Sequence, residues 1–183
     1  MYEPHVILHL YADKTKLMDT GNTYLKNVRS ELNRYRSLAE KAMDQLEAEQ
    51  LFFSNNDDSN SIAIIVKHMY GNMLSRWTDF LTTDGEKAER NRDGEFENVI
   101  TDKKEVLRQW EEGWACLFAA TDPLTEDQLL QTVYIRSEAH TVLEAINRQL
   151  AHYSYHVGQI VFAAKELKEG EWKSLSIPRK KDR

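Results

Sequence analysis

From Gln149 to Ala164 the chain carries no Asp, Glu, Lys or Arg, although 30% of its residues are charged. A run like this belongs inside a fold. It is too short to cross a bilayer, which takes about 20 apolar residues, and it contains His, Gln and Ser. It reads as one buried helix. His152 and His156 stand four apart within it. Side chains four apart on an α-helix project from the same face, one above the other. Both imidazoles therefore point into an interior, where a neutral ring needs a partner.

The remaining pattern supplies helices to pack around it. Seven Gly and three Pro are few for 183 residues and favour long helices over many short strands. Tyr24, Val28, Leu32, Tyr35, Leu38, Ala42 and Leu46 form an apolar stripe at three-four spacing, predicting a helix over 23–51. Ile62, Ile65, Val66, Met69, Met73, Trp77 and Phe80 predict a second over 61–81. Asp102 with Glu105 starts a third, with Val106, Trp110, Trp114, Leu117 and Phe118 inward and Pro123 at its end. The last runs over 141–167, with Val142, Ile146, Leu150, Tyr153, Val157, Ile160, Ala164 and Leu167 inward. The expected fold is all-α, a four-helix bundle with a long crossover loop over 83–98. Thr125 to Gln128 suggests one helical turn, and Thr132 to Ile135 a short extended piece.

Asp19-Thr20-Gly21-Asn22 is a turn and helix-start signature. It divides the chain into an N-terminal extension (1–20), a compact domain (21–178) and a basic tail (179–183). Trp172 and Leu175 are expected to dock back onto the bundle.

Bulk properties narrow the function classes. A net charge of −6 gives no general attraction to nucleic acid or to an anionic membrane. One cysteine, Cys116, excludes an intrachain disulfide framework and a Cys-rich zinc site. Its apolar helical surroundings mark a buried thiol and a reducing, cytoplasmic compartment. The apolar piece from Val6 to Ala12 lacks a basic leader and is too short to span a bilayer.

Two histidines make an incomplete metal site. His68, mid-helix among the core residues of the second helix, is the natural third donor. Three neutral imidazoles suit Zn, Ni, Cu, Fe or Co, and do not suit Mg or Ca. The alternative is a set of core histidines hydrogen-bonded to neighbours. His5 and His9 repeat the spacing without a third partner and read as incidental, and His140 caps or packs at the start of the last helix.

The stretches Ile-Val-Lys-His-Met-Tyr-Gly-Asn-Met-Leu (65–74) and Gln-Leu-Ala-His-Tyr-Ser-Tyr-His-Val-Gly-Gln-Ile (149–160) resemble the DinB superfamily, in its YfiT-like group of metal-dependent proteins. Arg76-Trp77-Thr78-Asp79-Phe80, the loop through Arg92-Asp93, and Lys173 to Pro178 resemble one bacterial subgroup of it. The resemblance spans about residues 20–178. It implies a DinB-type bundle, a metal triad of His68, His152 and His156, a divalent metal (Zn or Ni) and a homodimer. Relatives implied by it include thiol S-transferases that use bacillithiol or mycothiol and a maleylpyruvate isomerase, so a low-molecular-weight thiol is an expected cofactor and a small molecule the expected substrate.

Helical arithmetic from the triad nominates polar neighbours for substrate: Asn72 and Arg76 after His68, Arg148 before His152, and Gln159 after His156. Either arginine suits a bidentate contact to a carboxylate, and equally a salt bridge at the bundle end. Arg90, Arg92 and Asp93 in the crossover loop cover the site or make local contacts. No general base is encoded beside the triad; Asp79 lies three turns from His68. Three classes follow: a metal-dependent transferase or hydrolase, a stress-linked protein that binds metal or ligand without turnover, and a bundle that only dimerises.

Overall fold

The computed structural model describes residues 4–56, 58–97 and 100–177. It is mostly helical, with four α-helices and one two-stranded sheet among these residues. The helices are α1 (Pro4–Met43), α2 (Ile62–Trp77), α3 (Lys103–Thr121) and α4 (Val142–Leu167). Three short 3-10 turns intervene, at Glu49–Phe52, Asp93–Phe96 and Glu126–Gln128. The arrangement is compatible with a helical bundle, in which α2 packs on α3 and α4, and α1 on α4. None of the described helices is long and apolar enough to cross a membrane.

The apolar stripes bury together. Val28 and Leu32 of α1, Val66, Met69 and Met73 of α2, Val106 and Trp114 of α3, and Ile146, Tyr153 and Val157 of α4 share one core. Trp172 and Leu175 lie against it, and Lys173 N–H donates to Gln45 Oε1 at 2.8 Å, so the C-terminal segment docks as expected. The segment 179–183 lies outside the described residues.

Capping chemistry sets most helix starts. Ser61 accepts from Ile64 N–H at α2, and Asp102 from Lys104 N–H at α3. At α3 the expected capping box is not formed: Asp102 caps one residue short of Glu105, whose side chain accepts from Arg108 and Gln109 instead. Thr141 and Glu144 form a complete box at α4, satisfying two orphan N–H groups.

Several expected bounds move. α1 begins at Pro4, not Thr23, and passes straight through the 19–22 signature. Gly21 has another reason to be glycine: a Cβ there would lie 2.6 Å from Glu126 Cβ, so its absence lets the Glu126–Gln128 turn sit against α1. α1 ends at Met43 rather than Leu51. The chain tightens into i→i−3 bonds at Gln45 and Leu46, then a 3-10 turn buries Leu51. α2 stops at Trp77 because Thr78 is extended and Asp79 left-handed (φ 48°).

Thr132–Ile135 is a strand, as expected, and pairs antiparallel with Glu138–Thr141, which was not expected. The two residues between them, Arg136 and Ser137, are both left-handed (φ 56° and 64°). His140 sits in this second strand, paired with Val133, so the cap of α4 is Thr141.

Candidate metal centre

His68 enters the centre from α2, and His152 and His156 enter from α4. Their ring nitrogens lie within 4.8 Å of one another. His152 Nε2 is 3.3 Å from His68 Nε2 and 3.0 Å from His156 Nε2. Metal–nitrogen bonds of about 2.0–2.1 Å around a tetrahedral ion separate ligand nitrogens by about 3.3 Å, so the two distances from His152 are compatible with a ligand set.

The other ring nitrogens fix the tautomers. His68 Nδ1 lies 2.9 Å from Glu95 Oε2, and His156 Nδ1 lies 2.9 Å from Gln159 Oε1. A carboxylate and an amide oxygen only accept, so each Nδ1 donates. In the neutral form, rings bonded this way turn their Nε2 lone pairs inward, at His68 as at His156. His152 brings one hydrogen for those two acceptors, or none. A cation satisfies all three nitrogens at once, with the outer acceptors orienting the ligands.

Burial keeps the pair on α4 neutral. His152 is pushed down to about 3, first by burial and then by repulsion from His156, His68, Arg90 and Arg76. Burial pushes His156 down to about 4, against the hydrogen bond to Gln159, with His68 adding repulsion. Neutral imidazole is the form that ligates.

Glu95 belongs to the crossover loop, and no helical period marks it in the sequence. It is buried, and Arg90 grips it with two bonds, Nε to Oε1 at 2.7 Å and Nη2 to Oε2 at 2.8 Å. Burial alone would raise its carboxyl, but the bonds from His68 and Arg90 outweigh that and hold it below the usual value. Gly71 of α2 makes room, since a Cβ there would overlap the Glu95 carboxylate. Lys67 Nζ ties the loop down through Gly94 O at 2.5 Å and Glu97 O at 3.1 Å. The next residue, Phe96, stacks on His68 with ring centroids 4.7 Å apart. So the loop covers one side of the centre through Glu95 and Phe96, neither of which was singled out from the sequence.

A cavity of about 300 Å³ opens beside the histidines. Asn72, Arg76 and Arg148, nominated from the sequence, all line it, together with Arg90, Arg92, Arg136 and Gln149. Gln159 does not. It stands behind His156 and borders a separate groove with Phe53 and Phe162. Asn72 Oδ1 accepts the Tyr153 hydroxyl at 3.0 Å, and that hydroxyl accepts from Trp77 Nε1 at 3.0 Å. Asp79 is exposed beyond the end of α2 and does not line the cavity.

Tyr153 thus bolts α4 to α2 directly beneath His152. Tyr153→Phe strands a buried indole N–H and a buried amide oxygen, and the expected cost is about 1–3 kcal/mol. Urea unfolding at neutral pH measures it; an unchanged midpoint would mean that water takes over both groups.

A mostly helical protein with three convergent histidines is the class these observations define. The chain belongs to the family described as "Protein of unknown function (DUF1572)", which matches it over residues 19–181. Comparison with curated proteins and with solved structures gives no match.

Proposed function

We propose that this is a metal-dependent enzyme of DinB type, a thiol S-transferase or a hydrolase, with His68, His152 and His156 as the ligands of one divalent cation, Zn or Ni. The observation that carries the reading is the convergence of three Nε2 atoms whose rings are steered from behind by Glu95 and Gln159. When bound, such a cation supplies a Lewis-acidic position at which a thiol or a water loses its proton near neutral pH. The chain's own residues do the rest. Glu95 and Gln159 hold the imidazoles in the ligating tautomer. Phe96 and Tyr155 wall the centre from solvent, Tyr155 with its ring 4.1 Å from that of His156. Arg76 and Arg148 hold an anionic group of the substrate or of a low-molecular-weight thiol, and Asn72 orients within the same cavity.

Transfer is favoured over hydrolysis because no Asp or Glu lines the cavity among the described residues, and a water nucleophile is helped by such a base. We place the protein in a bacterial cytoplasm as a homodimer acting on small molecules, with no nucleic-acid or membrane partner. The same lack of a base supports a second reading, a stress-linked protein that binds metal or ligand, or dimerises, without turnover.

Elemental mass spectrometry of untagged wild type and His152→Ala tests the site. The expected outcome is near-stoichiometric Zn or Ni in the wild type, lost in the variant. Thiol-transfer assays on electrophilic substrates, with activity abolished by chelation while the fold persists, then separate the enzyme from the binding protein. A wild type that stays empty after incubation with Zn and Ni would refute the reading.

A further inference from the structure

Five guanidiniums line the cavity, brought by four different parts of the fold. Arg76 comes from α2, Arg90 and Arg92 from the crossover loop, Arg136 from the hairpin turn and Arg148 from α4. Two carboxylates answer them. Glu95 is taken by Arg90 and His68. Glu86 is spread over Arg90 at 3.2 Å, Arg136 at 3.4 Å and Arg76 at 3.6 Å. Arg92 and Arg148 have no carboxylate within ion-pair distance among the described residues; Arg92 lies over the Phe96 ring at 5.6 Å.

The inner charge is the telling one. The Arg76 side chain is 5% exposed, and its Nε and Nη1 are buried without a hydrogen bond. A buried cation is costly unless paired and fully bonded. Burial holds Arg76 below its ordinary value, with Arg148 and Arg90 adding repulsion against the pull of Tyr153 and Glu86. The rim is also built. Arg136 and Ser137 hold a left-handed turn because the Asp84 carboxylate accepts both backbone N–H groups, at 2.9 and 2.7 Å. Strain of this kind persists where the surroundings over-determine it.

We infer that the cavity takes a small organic molecule carrying at least two negative charges, on carboxylate or phosphate groups. With Asp84 counted beside Glu86 and Glu95, five cations against three carboxylates leave an excess that a single negative charge does not cancel. Planar guanidiniums match either oxyanion by paired N–H bonds. The inference rests on reading the cavity as the substrate site of the proposed function, and on no particular metal.

The test is calorimetric titration of succinate, inorganic phosphate and neutral succinamide into Zn-treated and EDTA-treated protein, with metal content measured on the same samples. At least one dianion is expected to bind about tenfold or more tightly than the amide in both preparations. Arg148→Gln and Arg136→Gln change exposed residues and leave the core intact. Each is expected to weaken that binding about fivefold, with circular dichroism confirming the fold. The stronger of the two dianions identifies the oxyanion. Equal binding of dianion and amide, no binding of either dianion, or rim variants indistinguishable from wild type overturns the inference. A protein that holds no metal yet still prefers dianions overturns the metal reading and leaves this one standing.

Discussion

Glu95→Ala unfolds in urea well before the wild type, with a loss of about 3–5 kcal/mol, the range for breaking a buried ion pair from one side. The Arg90 and Glu95 side chains are 5% and 7% exposed, so removing the carboxylate leaves a guanidinium with no solvent to replace it. Glu86 keeps two longer contacts to Arg90 at 3.2 Å, which moves the loss toward the lower end of the range. The same substitution deprives His68 Nδ1 of its acceptor. Metal affinity is expected to fall about 10–100-fold, as when an outer partner of a ligating histidine is lost. Glu95→Gln keeps one oxygen but turns an amide N–H₂ toward donors, and its losses are intermediate. An Ala variant with a wild-type midpoint would show that the loop carries no weight in the fold.

Chelated protein is expected to lose stability steadily as the pH falls from about 6.5 to about 4. His152 and His156 are pushed down to about 3 and 4 from an ordinary 6.5, so across that window the unfolded chain binds protons that the folded one refuses. Stability therefore falls with falling pH, and their contribution is complete only above 6.5. Glu95, held below its ordinary value, adds a loss of the same sign as acid protonates it. Zn or Ni at a thousandfold excess over its Kd adds about 4 kcal/mol at neutral pH, and the increment shrinks in acid as protons compete for the same lone pairs. Thermal unfolding at pH 7.5, 6 and 5, with and without EDTA, measures both effects. A metal-free protein equally stable from pH 7.5 to 5 would mean that these imidazoles are not held neutral by burial.

Much of this centre was legible because helices write their faces at a fixed period. The uncharged run at 149–164 and the stripe through Val66, Met69 and Met73 put His68, His152 and His156 on inward faces, and there they are found. Asn72, Arg76 and Arg148 followed by the same arithmetic. Glu95 did not, because a loop has no period, and six acidic residues between Asp84 and Glu97 look alike until one is seen against Gly71. The second hairpin strand stayed hidden for a similar reason. Its turn is Arg136-Ser137, with no Gly, Asn or Asp to announce left-handed backbone; the carboxylate that permits it, Asp84, lies more than fifty positions earlier. The start of α1 was missed because Gly21 looked like punctuation and serves as a packing gap.

His68 and His152 are separated by 84 positions, and the loop and hairpin beside them lie between. A ribosome must therefore pass His156 before three nitrogens can meet. During synthesis α2 emerges with one imidazole of the three. Uptake must therefore wait for α4, and a loaded molecule is by that fact one in which α2 and α4 have met.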